Sequence, residues 1–181
     1  MITIVIAEDQ EMLLGVIGSL LNLEEDMKVV GQARNGEEAL KLVHEFQPDI
    51  CLMDIEMPEM NGLDAAQSLK STGCKVIIVT TFARTGYFER AKQAGVRGYF
   101  LKDSPSKELV DGIRRIMNGE QIYCADLMDD DSMVHESGTE RLVDPHIHHK
   151  TTKHQRKIIR TVRNYFSTIM DKMDESRGQV P

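Results

Sequence analysis

Four places along this 181-residue chain carry groups suited to phosphoryl transfer, and each falls at the end of a short apolar run. Glu8 and Asp9 follow Ile2 to Ala7, Asp54 follows Ile50 to Met53, Thr80 follows Val76 to Val79, and Lys102 follows Tyr99 to Leu101. Runs of that length and composition read as buried strands of a parallel sheet. The strand C-termini of such a sheet all open on one edge, where ligands bind. Three carboxylates, a hydroxyl and an ammonium are therefore expected to converge. The carboxylates suit Mg²⁺, a hard cation that takes one or two protein carboxylates and completes its shell with phosphate oxygens and water. An Asp carboxylate is a competent nucleophile for making an acyl phosphate. A Lys ammonium stabilises charge on the transferring group, and a Thr hydroxyl donates a hydrogen bond to it. One carboxylate at a turn is ordinary; four matched strand ends are not.

The elements that must position these groups alternate between strand-like runs and segments of helical period, which predicts a doubly wound parallel α/β sheet. Met12, Leu13, Val16, Ile17, Leu20 and Leu21 recur at helical spacing. A second strand over Lys28 to Ala33 precedes a helix that opens after Asn35-Gly36 and carries Ala39, Leu40, Val43 and Phe46. Asn61-Gly62 opens a third helix with Leu63, Ala66 and Leu69. A fourth carries Phe88, Ala91 and Ala94 and stops at Gly95. The fifth runs from about Ser106, as N-cap, to Asn118, with Gly119 just past its end. Five strands and five helices are expected.

These residues resemble the motif set of response-regulator receiver domains: Glu8-Asp9, Asp54, Thr80 and Lys102, with Met57-Pro58-Glu59-Met60-Asn61-Gly62 after the central Asp. The stretch Ala94 to Asp103 is similar to the NarL/FixJ subclass. Ala7 to Gln10, Thr80 to Arg84 and Asp103 to Ser106 look closest to the type that regulates lipid desaturation. The resemblance covers residues 1 to about 123. It implies a flavodoxin-like receiver fold, with the strand order that goes with it, and a role in signalling rather than turnover. It further implies that Asp54 accepts phosphate from a partner histidine kinase, and that phosphorylation drives homodimerisation and transcriptional control. Mg²⁺ would be bound by Asp9, Asp54 and the backbone carbonyl of Glu56, with Glu8 acting directly or through water. Thr80 would turn toward the phosphoryl group, Lys102 would pair with it, and Tyr99 would be the aromatic switch that swings inward. One position departs from the pattern. The family often has Pro after the Lys, joined by a cis bond, and here the residue is Asp103; a non-proline cis bond costs about 3 kcal/mol.

Composition separates a body from a tail. The chain is 41% hydrophobic with net charge −7. Residues 1–123 hold 13 basic and 19 acidic residues, residues 124–138 five acids and no base, and residues 139–181 nine bases and five acids. An acidic body with a basic tail points to an anionic partner, such as DNA, for the tail alone. Cys51, Cys74 and Cys124 make neither a disulfide framework nor a zinc motif. No signal peptide and no run approaching the ~18 apolar residues of a membrane span is present, so a cytoplasmic location is expected. Residues 124–156 lose the apolar pattern and read as an acidic-to-basic linker without a fold. Five of the six histidines fall there, including His146, His148 and His149, without the carboxylates or rigid element a metal site needs.

Over residues 157–176 helical period returns. Val162, Tyr165, Phe166, Ile169, Met170 and Met173 share one face, opposite Arg160, Arg163, Asn164 and Ser167. The segment resembles the recognition helix of LuxR-type helix-turn-helix domains, in which the positions of Arg163, Asn164 and Ser167 face DNA. Residues 139–160 do not supply the two preceding helices that such a domain needs. A signalling-only receiver with a remnant of the DNA-binding module is therefore the second reading. A haloacid-dehalogenase-type phosphatase, which also uses an Asp nucleophile, fits less well. Its nucleophile follows the first strand with a second Asp two residues on, whereas here Asp54 follows the third strand and Glu56 stands at that place.

Overall fold

The computed structural model describes residues 1–81, 85–123, 160–165 and 167–169. Six strands form one parallel sheet: β1 (Ile2–Ala7), β2 (Met27–Ala33), β3 (Ile50–Met53), β4 (Lys75–Thr80), β5 (Gly98–Leu101) and β6 (Ile122–Tyr123). Their order is β2-β1-β3-β4-β5-β6. Between them run α1 (Glu11–Asn22), α2 (Gly36–Phe46), α3 (Gly62–Leu69), α4 (Thr85–Gln93) and α5 (Ser106–Met117). The expected five strands are all present. The sixth adds only Ile122 and Tyr123 at the β5 edge, too short a run to show a period of two.

Alternate strand residues serve opposite faces of the sheet. Val5, Ala7, Cys51, Met53, Val76 and Ile78 face one core, closed by α2, α3 and α4. Ile4, Ile6, Leu52, Ile77, Val79 and Phe100 face the other, closed by α1 and α5. Strands buried on both sides must be apolar throughout, which explains their unbroken hydrophobic runs. Each fully buried Ile or Leu contributes roughly 1.5–3 kcal/mol. Met12, grouped by periodicity with the apolar face of α1, is instead 67% exposed.

The helix starts follow the sequence in two cases out of three. Asn35 caps α2, its side chain accepting from the Glu38 amide at 2.8 Å. Asn61 caps α3, accepting from the Leu63 and Asp64 amides at 3.0 Å each. Ser106, expected as the cap of α5, is its first helical residue; Pro105 precedes it and no side chain caps the helix. Pro105 fixes φ before the first turn, and its carbonyl accepts from the Glu108 amide at 2.9 Å. The expected stops hold: Gly95 and Gly119 adopt φ of 75° and 97°, left-handed values that end a helix at low cost only with glycine.

Two polar ties fix the frame. Asp49, at the foot of β3, accepts from the Thr3 amide and hydroxyl, both at 2.8 Å, and so clasps β1 to β3. Arg114 of α5 donates to Asp26 at 2.8 and 2.7 Å and to Glu24 at 3.0 Å, joining α5 to the turn after α1.

Candidate functional site

The sheet ladder continues one residue past each strand end, so the site residues are held by backbone as well as by side chain. Glu8 N–H donates to the Ala33 carbonyl at 3.0 Å, Asp54 N–H to Ala7 at 2.9 Å, and Lys102 N–H to Thr80 at 2.8 Å. Glu8, Asp54, Thr80 and Lys102 are all buried, whereas Asp9 is exposed at the rim. The Lys102 ammonium lies 2.6 Å from Glu8 Oε2 and 2.9 Å from Asp54 Oδ2. Asp54 Oδ1 accepts from the Ile55 amide at 2.8 Å, and Glu8 Oε1 from the Gln10 amide at 3.2 Å. Both carboxylates are therefore oriented at each end.

Burial dominates the electrostatics. It pushes the Glu8 carboxyl up to about 7, with Lys102 opposing and Asp54 adding to the rise. The Asp54 carboxyl is likewise raised by burial, against the pull of Lys102. Burial by itself would lower the Lys102 ammonium; Asp54 and Glu8 outweigh it and hold the charge in place. Oxygens of Glu8, Asp9 and Asp54 lie within 4.8 Å of one another. Three carboxyl groups stand against one ammonium, and their hard oxygen donors suit a divalent cation of the Mg²⁺ class. A cavity of about 70 Å³ opens among Asp9, Asp54, Glu56, Thr80 and Thr81, where a water needs roughly 10–15 Å³. Glu8 is absent from its lining; its carboxylate points to Lys102 instead.

Every residue singled out on the sheet edge is thus in or beside one cleft. Tyr99 is fully buried on β5, with its ring edge-on to Phe88 at 6.0 Å. Phe88 meets Tyr123 of β6 in the same way at 5.3 Å. The Glu56 carboxylate turns outward, accepting from the Tyr87 hydroxyl at 3.4 Å. The Lys102–Asp103 bond is not cis; no cis peptide occurs among the described residues.

Sequence reasoning passed over two features. Thr81 lines the cleft, and only its adjacency to Thr80 hinted at it. Gly62 matters because α3 starts against the backbone of Asp54: a Cβ at this position would overlap the Asp54 carbonyl oxygen. The Gly62 amide donates to Ile55 at 3.0 Å, closing the loop that carries the acidic residue.

The tail residues lie elsewhere. Residues 160–165 and 167–169 are helical, with Arg163, Asn164 and Ser167 exposed, as an outward polar face requires. Tyr165 and Ile169 are buried, but in the core shared with α1 and α5. Burial drives the Tyr165 phenol up, and the charges of Asp103, Glu8 and Glu108 add to the rise. Phe166 side-chain contacts, Met170, Met173 and the linker with its histidines lie outside the described residues.

Such a sheet, with acidic groups and a buried lysine on its carboxyl edge, defines a receiver-type domain. Residues 4–114 match the family described as the response regulator receiver domain, and the chain belongs to that family as a two-component response regulator. It is 54% identical to the transcriptional regulatory protein DesR of Bacillus subtilis (strain 168), over 96% of this chain and 91% of that protein. It is 57% identical to the uncharacterized transcriptional regulatory protein YvfU of the same organism, over 70% of this chain, and spans 64% of that relative's length. Among solved structures, a LuxR-family DNA-binding response regulator from Staphylococcus aureus matches with a TM-score of 0.63 at 41% identity. That match covers 65% of this chain and all of the other. No described helix is long and apolar enough to cross a membrane.

Proposed function

We propose that Asp54 accepts a phosphoryl group from a sensor histidine kinase in a Mg²⁺-dependent reaction, and that this switches a cytoplasmic regulator of transcription. The observation that carries the reading is the Lys102 ammonium shared between Glu8 and Asp54 beside an open cleft. An Asp54 oxygen attacks phosphorus, the phosphorus–nitrogen bond of the donor breaks, and the imidazole nitrogen leaves with the electron pair. Lys102 opposes the rise that burial gives the Asp54 carboxyl and then pairs with the transferred group. Thr80, at the cleft wall, donates its hydroxyl to a phosphoryl oxygen. Asp9, Asp54 and the Glu56 carbonyl would hold the cation, with Glu8 acting through water; bound there, it neutralises charge on the phosphoryl oxygens. Tyr99 already lies inward, so movement of Thr80 would act on a ring packed against Phe88.

Phosphorylation-driven homodimerisation and control of transcription follow the relatives named as transcriptional regulators, with Arg163, Asn164 and Ser167 as the residues that would meet DNA. The signalling-only reading keeps one specific support: Tyr165 and Ile169 are packed in the receiver's own core.

Incubation with acetyl phosphate and Mg²⁺ is expected to add one phosphate per chain by mass, and Asp54→Asn to add none. Incorporation that survives the substitution at unchanged stoichiometry would sink the assignment. Continuous turnover of simple phosphate esters would instead support the phosphatase reading.

A further inference from the structure

The loop from β3 to α3, residues 54–61, begins at Asp54 and brings Glu56 to the cleft wall. Its own hydrogen bonds are short-range: the Met57 amide donates to Ile55 at 3.1 Å and the Met60 amide to Pro58 at 2.7 Å. Glu56 and Glu59 are exposed, so burial fixes neither of them. Glu59 adopts φ of 62°, a left-handed value that a residue with a side chain keeps only where its surroundings hold it.

The grip on this loop comes from the start of α2. Asn35 is 5% exposed, and its amide is engaged at both ends. The side-chain oxygen accepts from the Glu38 amide at 2.8 Å, and the side-chain nitrogen donates to Glu59 Oε2 at 2.8 Å. One residue on, the Gly36 amide donates to the Met60 carbonyl at 2.9 Å. A Cβ on Gly36 would lie 2.7 Å from that same oxygen, so the approach of the two loops needs glycine there. The Glu38 carboxylate accepts from the Arg34 amide at 2.9 Å and fixes the turn that presents Asn35. Ala39 and Val43 seat α2 in the core, so the anchor is rigid. Only an amide can accept from a backbone N–H and donate to a carboxylate at once; an Asp would cap α2 equally well and repel Glu59.

We propose, building on the reading of the Glu56 carbonyl as a Mg²⁺ ligand, that Asn35 is a positioning residue for the cation site. Through Glu59 it holds the β3–α3 loop, and with it the Glu56 carbonyl, where that oxygen can reach the cation. Asn35 does not line the cleft, so it acts through the loop alone. A backbone carbonyl cannot turn independently of its chain, and its aim is the aim of the loop. Mg²⁺ tolerates little error in that aim, because it demands near-ideal octahedral geometry at about 2.0–2.1 Å.

The test is Mg²⁺ titration of the full chain by calorimetry, beside amide exchange at Gly36 and thermal melts in EDTA. Asn35→Asp keeps the cap and sets a carboxylate against Glu59; Glu59→Ala removes the acceptor and leaves Asn35 in place. Each is expected to weaken Mg²⁺ binding roughly tenfold, the lower end of what losing a group that orients a metal ligand costs, and to quicken Gly36 exchange severalfold. Charge alone would do the reverse in Asn35→Asp, since an added carboxylate draws cations toward an acidic cleft. Glu59→Gln, whose amide oxygen still accepts from Asn35, should bind nearly as the wild type does. Asn35→Asp combined with Glu59→Gln reverses the polarity of the bond and should restore both affinity and slow exchange. Affinity in Asn35→Asp at or above the wild-type value overturns the positioning role, as does a double variant no better than Asn35→Asp. So does a quickened Gly36 amide with Mg²⁺ affinity unchanged. If melts show that Asn35→Asp does not fold, the exposed Glu59 decides: equal affinities in Glu59→Ala and Glu59→Gln overturn the role. Each of these leaves the cation reading intact. A wild-type chain that binds no Mg²⁺ at millimolar concentration overturns that reading, and the positioning role with it.

Discussion

Glu8 and Asp9 are neighbours in sequence with opposite surroundings, and the contrast sets their expected roles. Glu8 is buried against Lys102 and does not face the cleft, whereas Asp9 is exposed and lines it. A cation entering the cleft therefore meets Asp9 first. Asp9→Asn is expected to weaken Mg²⁺ affinity at least tenfold and Glu8→Gln by less, read by titration calorimetry or by tyrosine fluorescence in a chain without tryptophan. Equal losses in the two variants would refute the ranking. Both residues were marked by their place after β1; which of them the lysine would occupy was not, because that depends on side chains arriving from β3 and β5.

At the scale of elements, junctions matter more than the elements themselves. The start of α3 presses on the Asp54 carbonyl, with room only for glycine at residue 62. Gly62→Ala must displace the loop carrying Asp54, at a cost of about 1–3 kcal/mol. A lower melting temperature together with slower phosphate uptake is expected; a variant with wild-type values of both would show that the loop yields freely. The clasp between β1 and β3 gives a pH signature. Hydrogen bonds from Thr3 hold the Asp49 carboxyl below its ordinary value of 3.8, so the folded state favours the ionised form. That stability is present above pH 3.8 and is lost as pH falls through the lower, folded value. Asp49→Asn should cost about 1–2 kcal/mol at pH 7 and nearly nothing in strong acid, by urea melts at the two extremes. A loss of equal size at both would exclude the carboxylate as its source.

For the whole molecule, the question is what the basic tail does. Seven basic residues lie between 141 and 163, enough for contacts to phosphates and a steep dependence on salt. Specific reading of bases requires a rigid helix presented to a groove, and Tyr165 and Ile169 of this one are already buried in the receiver core. Weak duplex binding at physiological salt is expected, with little preference between sequences. Footprinting of the phosphorylated chain on its own upstream region decides the matter. A protected site of defined half-site spacing, lost in Arg163→Ala, would restore a working DNA-binding module.

Local sequence determined the α/β alternation, the five principal strands, the helix stops at Gly95 and Gly119, and the identity of Glu8, Asp9, Asp54, Thr80 and Lys102 as groups of one edge. Each follows from a short-range rule: an apolar run bounded by polar groups, a period of 3.6, a glycine where φ must be positive. The family resemblance added the strand order, which periodicity does not carry. Only the tertiary structure decided that one ammonium serves both Glu8 and Asp54, that Gly62 has no space for a side chain, that the Ser106 hydroxyl meets Thr168, and that Tyr165 is buried on the receiver. Three of the four are contacts between residues far apart in the chain, and the fourth, Gly62 against Asp54, depends on how the loop between them closes. A hydrophobic period shows that a face must be covered, and only packing determines which surface covers it.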